Sequence, residues 1–271
     1  MFQTNYLMKA LLLKIGQSLS VNHNQEPALT IVMYHRVGST TPSLLDVSTG
    51  AFEEQLKYLQ DHFEVGSMDE AVAELAGGLK RSFAVLTFDD CYFDFYMKAF
   101  PILQRRGLPS TIYLPTQFCD EGKFPWDARY STRQDIRCMT WSELTELHNT
   151  DSVEIGSHTH SHPRLDRIGR EQTEAEIKIS ADLIRANLGE RPRHFSCPYG
   201  IPSPYKNIIG NHFETIVEVG WLTNGPCADK LSLKRVPALP TSNMKVFGAS
   251  LAGAGLYIEK MKHFLPADAV G

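Results

Sequence analysis

From residue 28 onward the chain alternates short apolar runs, rich in β-branched and aromatic residues, with amphipathic stretches of helical period. This is the pattern of a parallel sheet built from βα units. Six runs read as strands: Leu29 to Met33, Phe83 to Phe88, Ser110 to Leu114, Val153 to Gly156, His194 to Cys197 and Thr215 to Val219. Ser67-Met68-Asp69-Glu70 and Thr140-Trp141-Ser142-Glu143 are capping boxes, in which a hydroxyl and a carboxylate each satisfy an amide left free at a helix start. Phe52, Leu56 and Leu59, and later Ile177, Ala181, Ile184 and Leu188, form helical apolar stripes, the second ended by Gly189. The alternation continues without repeat or linker to a last helical stretch near Val246 to Leu265, so residues 28–271 read as one domain.

Two segments stand apart from this alternation. Within residues 1–27, Met8, Leu11, Leu12, Ile15 and Leu19 make the stripe of an amphipathic helix that docks on the domain or adheres to a membrane surface. Lys14 cuts the run from Ala10 to Leu13 far short of the roughly 20 residues a membrane span needs. No small-residue cleavage site follows, so a cytoplasmic location, with peripheral contact at the inner face of the membrane, is expected. Residues 115–137 have no clean period and read as a long loop around Trp126.

Composition narrows the partners. The 271 residues are 42% hydrophobic, enough for a substantial core. With 27 Lys+Arg against 31 Asp+Glu the net charge is −4, which leaves no excess of positive charge for a phosphate backbone. The five cysteines, Cys91, Cys119, Cys138, Cys197 and Cys227, are scattered and never spaced C-x-x-C. That spacing suggests neither a disulfide framework nor a thiolate zinc site, and fits a reducing compartment.

Four polar groups fall where strands end, the edge at which α/β enzymes place their sites. Asp89 and Asp90 follow a buried run and are costly to desolvate unless a cation or hydrogen bonds meet them. Alternation along a strand sends them to opposite faces, so they reach one site only if the chain bends; otherwise they cap the next helix. His158-Thr159-His160-Ser161-His162 sets three histidines in five residues, with His158 and His162 spaced as two ligands on one turn. The alternative is a surface histidine cluster, and His160 is the spare. Pro198-Tyr199-Gly200 forces an irregular turn that either aims backbone N–H groups at an oxyanion or merely ends a strand. His35, after Tyr34, is a structural histidine or a fourth member of the same edge.

Together these residues resemble the NodB-homology polysaccharide deacetylases, carbohydrate esterase family four. Thr87-Phe88-Asp89-Asp90 is similar to that family's first motif and His158-Thr159-His160-Ser161-His162 to its second. Pro198-Tyr199-Gly200 resembles the core of the third, and the leading Tyr34-His35 resembles members acting on poly-N-acetylglucosamine. The resemblance implies a distorted (β/α) barrel holding one divalent metal, generally zinc, with cobalt or nickel tolerated, on Asp90, His158 and His162. It implies Asp89 as base, His35 as the acid that protonates the leaving amine, and the Tyr199 backbone N–H, beside Pro198, at the oxyanion. Ser196 stands where the third motif usually carries arginine; Arg193 precedes it, and Arg235 is the candidate for steadying Asp89. Cys91 replaces a common glycine after the aspartate pair.

The implied activity is hydrolysis of an N-acetyl group on an amino sugar of a polysaccharide, glycolipid or lipid-linked precursor. A deformylase or small cyclic-amide hydrolase would keep the same site, and a silent glycan-binding relative would keep only the fold. Trp126, Trp141 and Trp221 discriminate, because aromatic rings along an open groove favour sugar. Tyr113 is a further aromatic that either contacts substrate or packs.

Overall fold

The expected strands form and run parallel in a computed structural model that describes residues 26–38, 45–120 and 136–254. In chain order they are β1 (Leu29–Tyr34), β2 (Arg36–Val37), β3 (Asp46–Val47), β4 (Glu64–Gly66), β5 (Phe83–Asp89), β6 (Ser110–Leu114), β7 (Val153–Ser157), β8 (His194–Ser196), β9 (Thr215–Val219) and β10 (Leu233–Pro237). Helices α1 (Thr49–His62), α2 (Met68–Ala76), α3 (Phe100–Arg106), α4 (Trp141–His148), α5 (Arg170–Leu188), α6 (Lys206–Gly210) and α7 (Met244–Ala249) lie between and after them.

β1 pairs with both β5 and β10, so β1-β5-β6-β7-β8-β9-β10 close into a seven-stranded parallel barrel flanked by helices, the (β/α) barrel expected. β4 adds to the first residues of β5 outside the ring, and β2 pairs with β3 in a separate ribbon.

Strand parity divides the core in two. Val32, Tyr34, Ala84, Leu86, Phe88, Ile112, Leu114 and Val236 face outward and pack with Phe52, Leu56 and Leu59 of α1 and Leu144 and Leu147 of α4. The opposite parity, Leu29, Ile31, Phe83, Val85, Tyr113, Val217 and Leu233, clusters with Met68, Ala71 and Leu75 of α2, which closes the lower end of the barrel. Continuing upward on that inner face, the residues turn polar: Thr87 and Asp89 on β5, Ser196 on β8 and Arg235 on β10, all buried. The barrel therefore has an apolar floor and a polar mouth at the C-terminal ends of its strands.

Both capping boxes form reciprocally, Ser67 with Glu70 and Thr140 with Glu143, and Gly189 ends α5 at φ 88°. Sequence pattern did not reveal β4, β10 or the ribbon. β8 stops at Ser196 rather than Cys197, and the last stretch is helical from Met244 to Ala249, then widens into a π-turn over Ser250–Ala254. The helix expected around Met8 to Leu19, Trp126, and the stretch beyond Ala254 fall outside the described residues. Among the described residues no helix is long and apolar enough to cross a membrane.

Candidate active site and metal centre

Asp89 ends β5 pointing inward, and by strand parity Asp90 would point away. The chain instead turns through the left-handed region at Asp90 (φ 71°) and Cys91 (φ 59°), which swings the second carboxylate round to the same mouth. The cysteine thus holds a conformation in which glycine would be unstrained. Its buried thiol lies within hydrogen-bonding reach of Cys119 and Cys138, and Cys138 Sγ donates to the Asp90 carbonyl at 3.7 Å.

The histidine segment leaves β7 in a turn with Thr159 at φ 69° and His162 at φ 58°. His158 Nδ1 lies 2.8 Å from the Ser196 carbonyl, which can only accept, so Nδ1 carries the proton and the Nε2 lone pair faces the mouth. Burial pushes this imidazole down to about 4 despite nearby Asp89, so it is neutral at pH 7. His162 is held through its backbone N–H, which donates to Thr159 Oγ1 at 3.0 Å. Asp90 Oδ1 is 3.6 Å from His158 Nε2 and 3.3 Å from His162 Nε2. His160 is the spare: its Nδ1 turns to Thr116 Oγ1 at 3.1 Å.

Two clusters among the described residues bring three metal-ligating atoms within 4.8 Å of one another. The first is Asp90, His158 and His162. Asp90 Oδ1 is buried, and the Nε2 atoms of His158 and His162 converge on it. A carboxylate oxygen and two imidazole nitrogens suit a borderline divalent cation, so these residues fit one. The second, Asp69, Glu154 and His194, lines a cleft of about 350 Å³ near the starts of β7 and β8 and is saturated internally. Glu154 accepts from Met68 N, Asp69 N and Thr111 Oγ1, while Asp69 Oδ1 meets His194 Nε2 at 2.8 Å and Arg193 at 2.5 Å.

Arg235 reaches Asp89 from β10 with two bonds of 2.6 Å, one to each carboxylate oxygen. The same guanidinium donates to Ser196 Oγ at 2.8 Å, and Ser196 Oγ in turn lies 3.3 Å from Asp89. Burial alone would raise the Asp89 carboxyl, yet the charge and bonds of Arg235, with His158 adding, hold it well below the usual carboxylate range. Burial likewise opposes ionisation of Asp90, and His162, His35 and His158 overcome it, so its carboxyl also lies below its ordinary value. His35, between β1 and β2, places Nε2 4.0 Å from Asp90 Oδ2.

Pro198 is buried, whereas Tyr199 is 49% exposed, sits at φ 60° and packs with its ring tilted 55° and centred 4.8 Å from the His162 ring. Of the tryptophans, Trp221 is buried core and Trp141 is partly buried at the start of α4. Tyr113 is fully buried under the Arg235 guanidinium, 5.6 Å from its ring centroid, which makes it packing. Arg193 pairs with Asp69 and Glu214 away from Asp89.

A parallel barrel with carboxylates and imidazoles gathered at the C-terminal mouth of its strands has the architecture of a barrel enzyme. Comparison with known proteins narrows that class. The sequence profile of the polysaccharide deacetylase family matches residues 76–211, and the chain belongs to this family of hydrolases acting on amide bonds. YxkH of Bacillus subtilis (strain 168), which carries a polysaccharide deacetylase name, is 27% identical over 246 residues, 88% of this chain and 79% of its own length. The poly-β-1,6-N-acetyl-D-glucosamine N-deacetylase of Staphylococcus aureus (strain MRSA252) is 24% identical over 57% of this chain, a match that spans only 54% of that enzyme. In fold the chain is similar to IcaB from Ammonifex degensii, with a TM-score of 0.71 at 24% identity over 86% of this chain and all of that one. It is also similar to the Streptococcus pyogenes deacetylase PplD, solved with acetate, with a TM-score of 0.70 at 24% identity over 82% and 96%.

Proposed function

We propose that the chain is a divalent-metal-dependent N-deacetylase, with zinc the expected ion, that removes acetyl groups from an N-acetylated amino sugar of a glycan or glycan precursor. The observation that carries this reading is the adjacency of two differently placed carboxylates: Asp90 with a buried oxygen facing two imidazoles, and Asp89 clamped by Arg235. Asp90, His158 and His162 would hold the ion. When bound, it supplies Lewis acidity, polarising the amide carbonyl and acidifying water.

The remaining steps fall to the chain. Asp89, kept ionised and oriented by Arg235, takes the proton of the attacking water. A backbone N–H at Tyr199, presented by the Pro198–Gly200 turn, stabilises the developing oxyanion. His35 protonates the leaving amine, which departs poorly as an anion. The exposed ring of Tyr199 provides a flat apolar surface at the rim on which a sugar face stacks.

The test is acetate release from short N-acetylglucosamine oligomers by the purified protein, as prepared, after chelation, and after zinc is returned. Release that disappears with chelator and returns with zinc supports the reading. Zinc-loaded protein that frees no acetate from any N-acetylated oligomer refutes it.

A further inference from the structure

The two histidines offered to the metal lie on a turn that its own residues do not favour. Thr159, β-branched, and His162 both occupy the left-handed region, a conformation that persists only where surrounding contacts over-determine it. One is internal, His162 N–H to Thr159 Oγ1 at 3.0 Å, and those on the middle of the turn come from outside it. Glu176, buried on the inward face of α5, accepts the His160 N–H at 2.9 Å and the Ser161 N–H at 2.8 Å on one oxygen. Its other oxygen accepts the Ser161 hydroxyl at 2.6 Å. From the opposite side the segment after β6 contributes weaker anchors, Thr116 N to Thr159 O at 3.2 Å and Gln117 N to His160 O at 2.9 Å. Three of the bonds that fix the middle of the turn thus converge on one carboxylate that touches neither ligand.

We infer that Glu176 is a positioning residue for the metal-binding turn: by gripping the amides between His158 and His162 it sets the approach of the two imidazoles and so the affinity for a divalent cation. The inference rests on the metal reading given under Proposed function. Without the grip, the middle of the turn relaxes toward ordinary backbone angles and the two Nε2 atoms lose their shared focus on Asp90 Oδ1. A buried carboxylate that accepts three bonds is also costly to desolvate unless all three are made, which ties the position of α5 to that of the turn.

The experiment is zinc affinity of the full chain, measured by competition with a chromophoric chelator, for wild type, Glu176→Ala, Glu176→Asp and Glu176→Gln. Glu174→Gln serves as a control that changes the same charge on an exposed position of α5. Outer-shell partners of metal ligands are typically worth 10–100-fold, so Glu176→Ala is expected to bind zinc about tenfold or more weakly. Glu176→Asp, one methylene too short to reach all three donors, should fall between. Glu176→Gln keeps the length and an acceptor for both amides and should restore affinity to within about threefold.

Cobalt in place of zinc adds a readout that mere destabilisation would not move. Its visible absorption bands, which follow ligand geometry, should change in the Ala and Asp variants and not in Gln. If Glu176→Ala does not fold, the Asp variant decides alone. Wild-type affinity and an unchanged cobalt spectrum in folded Ala or Asp variants overturn the inference while leaving the metal reading intact. A wild-type protein that binds no zinc overturns both.

Discussion

Arg235→Met removes the guanidinium and leaves side-chain volume roughly in place, so it isolates the electrostatics of the barrel mouth. Arg235 and Asp89 are both buried, and their two 2.6 Å bonds are supplemented by Arg235 to Ser196 at 2.8 Å and Arg235 to Thr87 at 3.3 Å. Without the arginine, Asp89 keeps only the 3.3 Å contact from Ser196 and the His158 Nε2 at 3.9 Å. Removing one partner of a buried pair strands the other charge and typically costs about 3–5 kcal/mol. That loss, read by urea unfolding of the metal-free protein at pH 7, is the expected result.

The pH dependence carries the sharper sign. In the wild type the Asp89 carboxyl is depressed below its unfolded value near 3.8, so its contribution is present above that pH and is lost as pH falls through the folded value. In the variant the main lowering cause is gone and burial, the largest single effect, raises the carboxyl against the smaller pull of His158 and His35, so the variant gains stability as pH drops from 7 toward 4, by at most about 1.4 kcal/mol per pH unit. The gap between the two proteins should therefore narrow in acid. Asp89→Asn combined with Arg235→Met removes both charges and should be more stable than Arg235→Met alone, by about 2 kcal/mol or more. A double variant whose losses simply add, or a gap that stays constant from pH 7 to 4, would refute the reasoning.

Other expectations follow from the same geometry. Asp89→Asn should abolish acetate release while metal content by atomic absorption stays near one per chain, whereas His162→Ala should lose both metal and activity. Substantial turnover by Asp89→Asn would remove it as the base. His35→Ala should lower kcat by about 100-fold or more with metal content unchanged, and a wild-type rate would exclude the histidine from proton transfer. Glu143, whose carboxyl is lowered by its bonds from Arg137 against a smaller opposing effect of burial, caps α4. Glu143→Gln keeps the capping acceptor but loses the charge facing Arg137 and should cost about 0.5–1 kcal/mol at pH 7, allowing for solvent screening, a cost that shrinks as pH falls below the unfolded value and through the lowered folded one. Equal urea midpoints at pH 7 would count against the pair with Arg137.

The strands that sequence pattern identified are those that keep a short apolar, β-rich run between turn or helix signals. β5 is buried along all seven residues and reads as a continuous hydrophobic run. β10 escaped the same reading because Lys234-Arg235 interrupts it, although inside the barrel the guanidinium is neutralised by Asp89. β4, three residues long, is too short for any period to show. Candidate site residues were legible by type and order along the chain, since polar groups after buried runs need an explanation. Their convergence was not, because it depends on signs of φ at Asp90, Cys91, Thr159, His162 and Tyr199 that no residue there announces. Glu176 was hidden for a related reason: helical spacing marks Ile177 as inward and gives no sign that the carboxylate before it is buried too.

The tether on Asp89 also shows how the barrel handles a serine where the third motif of the family usually carries arginine. Ser196 on β8 and Arg235 on β10 are separated by β9, and both project from the inner face toward the same carboxylate. A small side chain on β8 leaves the inner volume into which a guanidinium from β10 extends, and the serine hydroxyl then takes one of its N–H groups. The charge next to Asp89 is thus supplied from a strand two places round the barrel, and the carboxylate is paired on both oxygens. What the site requires of its scaffold is a cation at one point of the polar mouth, and a closed barrel offers that point to several strands at once. A substitution at the motif position is therefore poor grounds for judging Asp89 untethered until the inner face of every strand has been read.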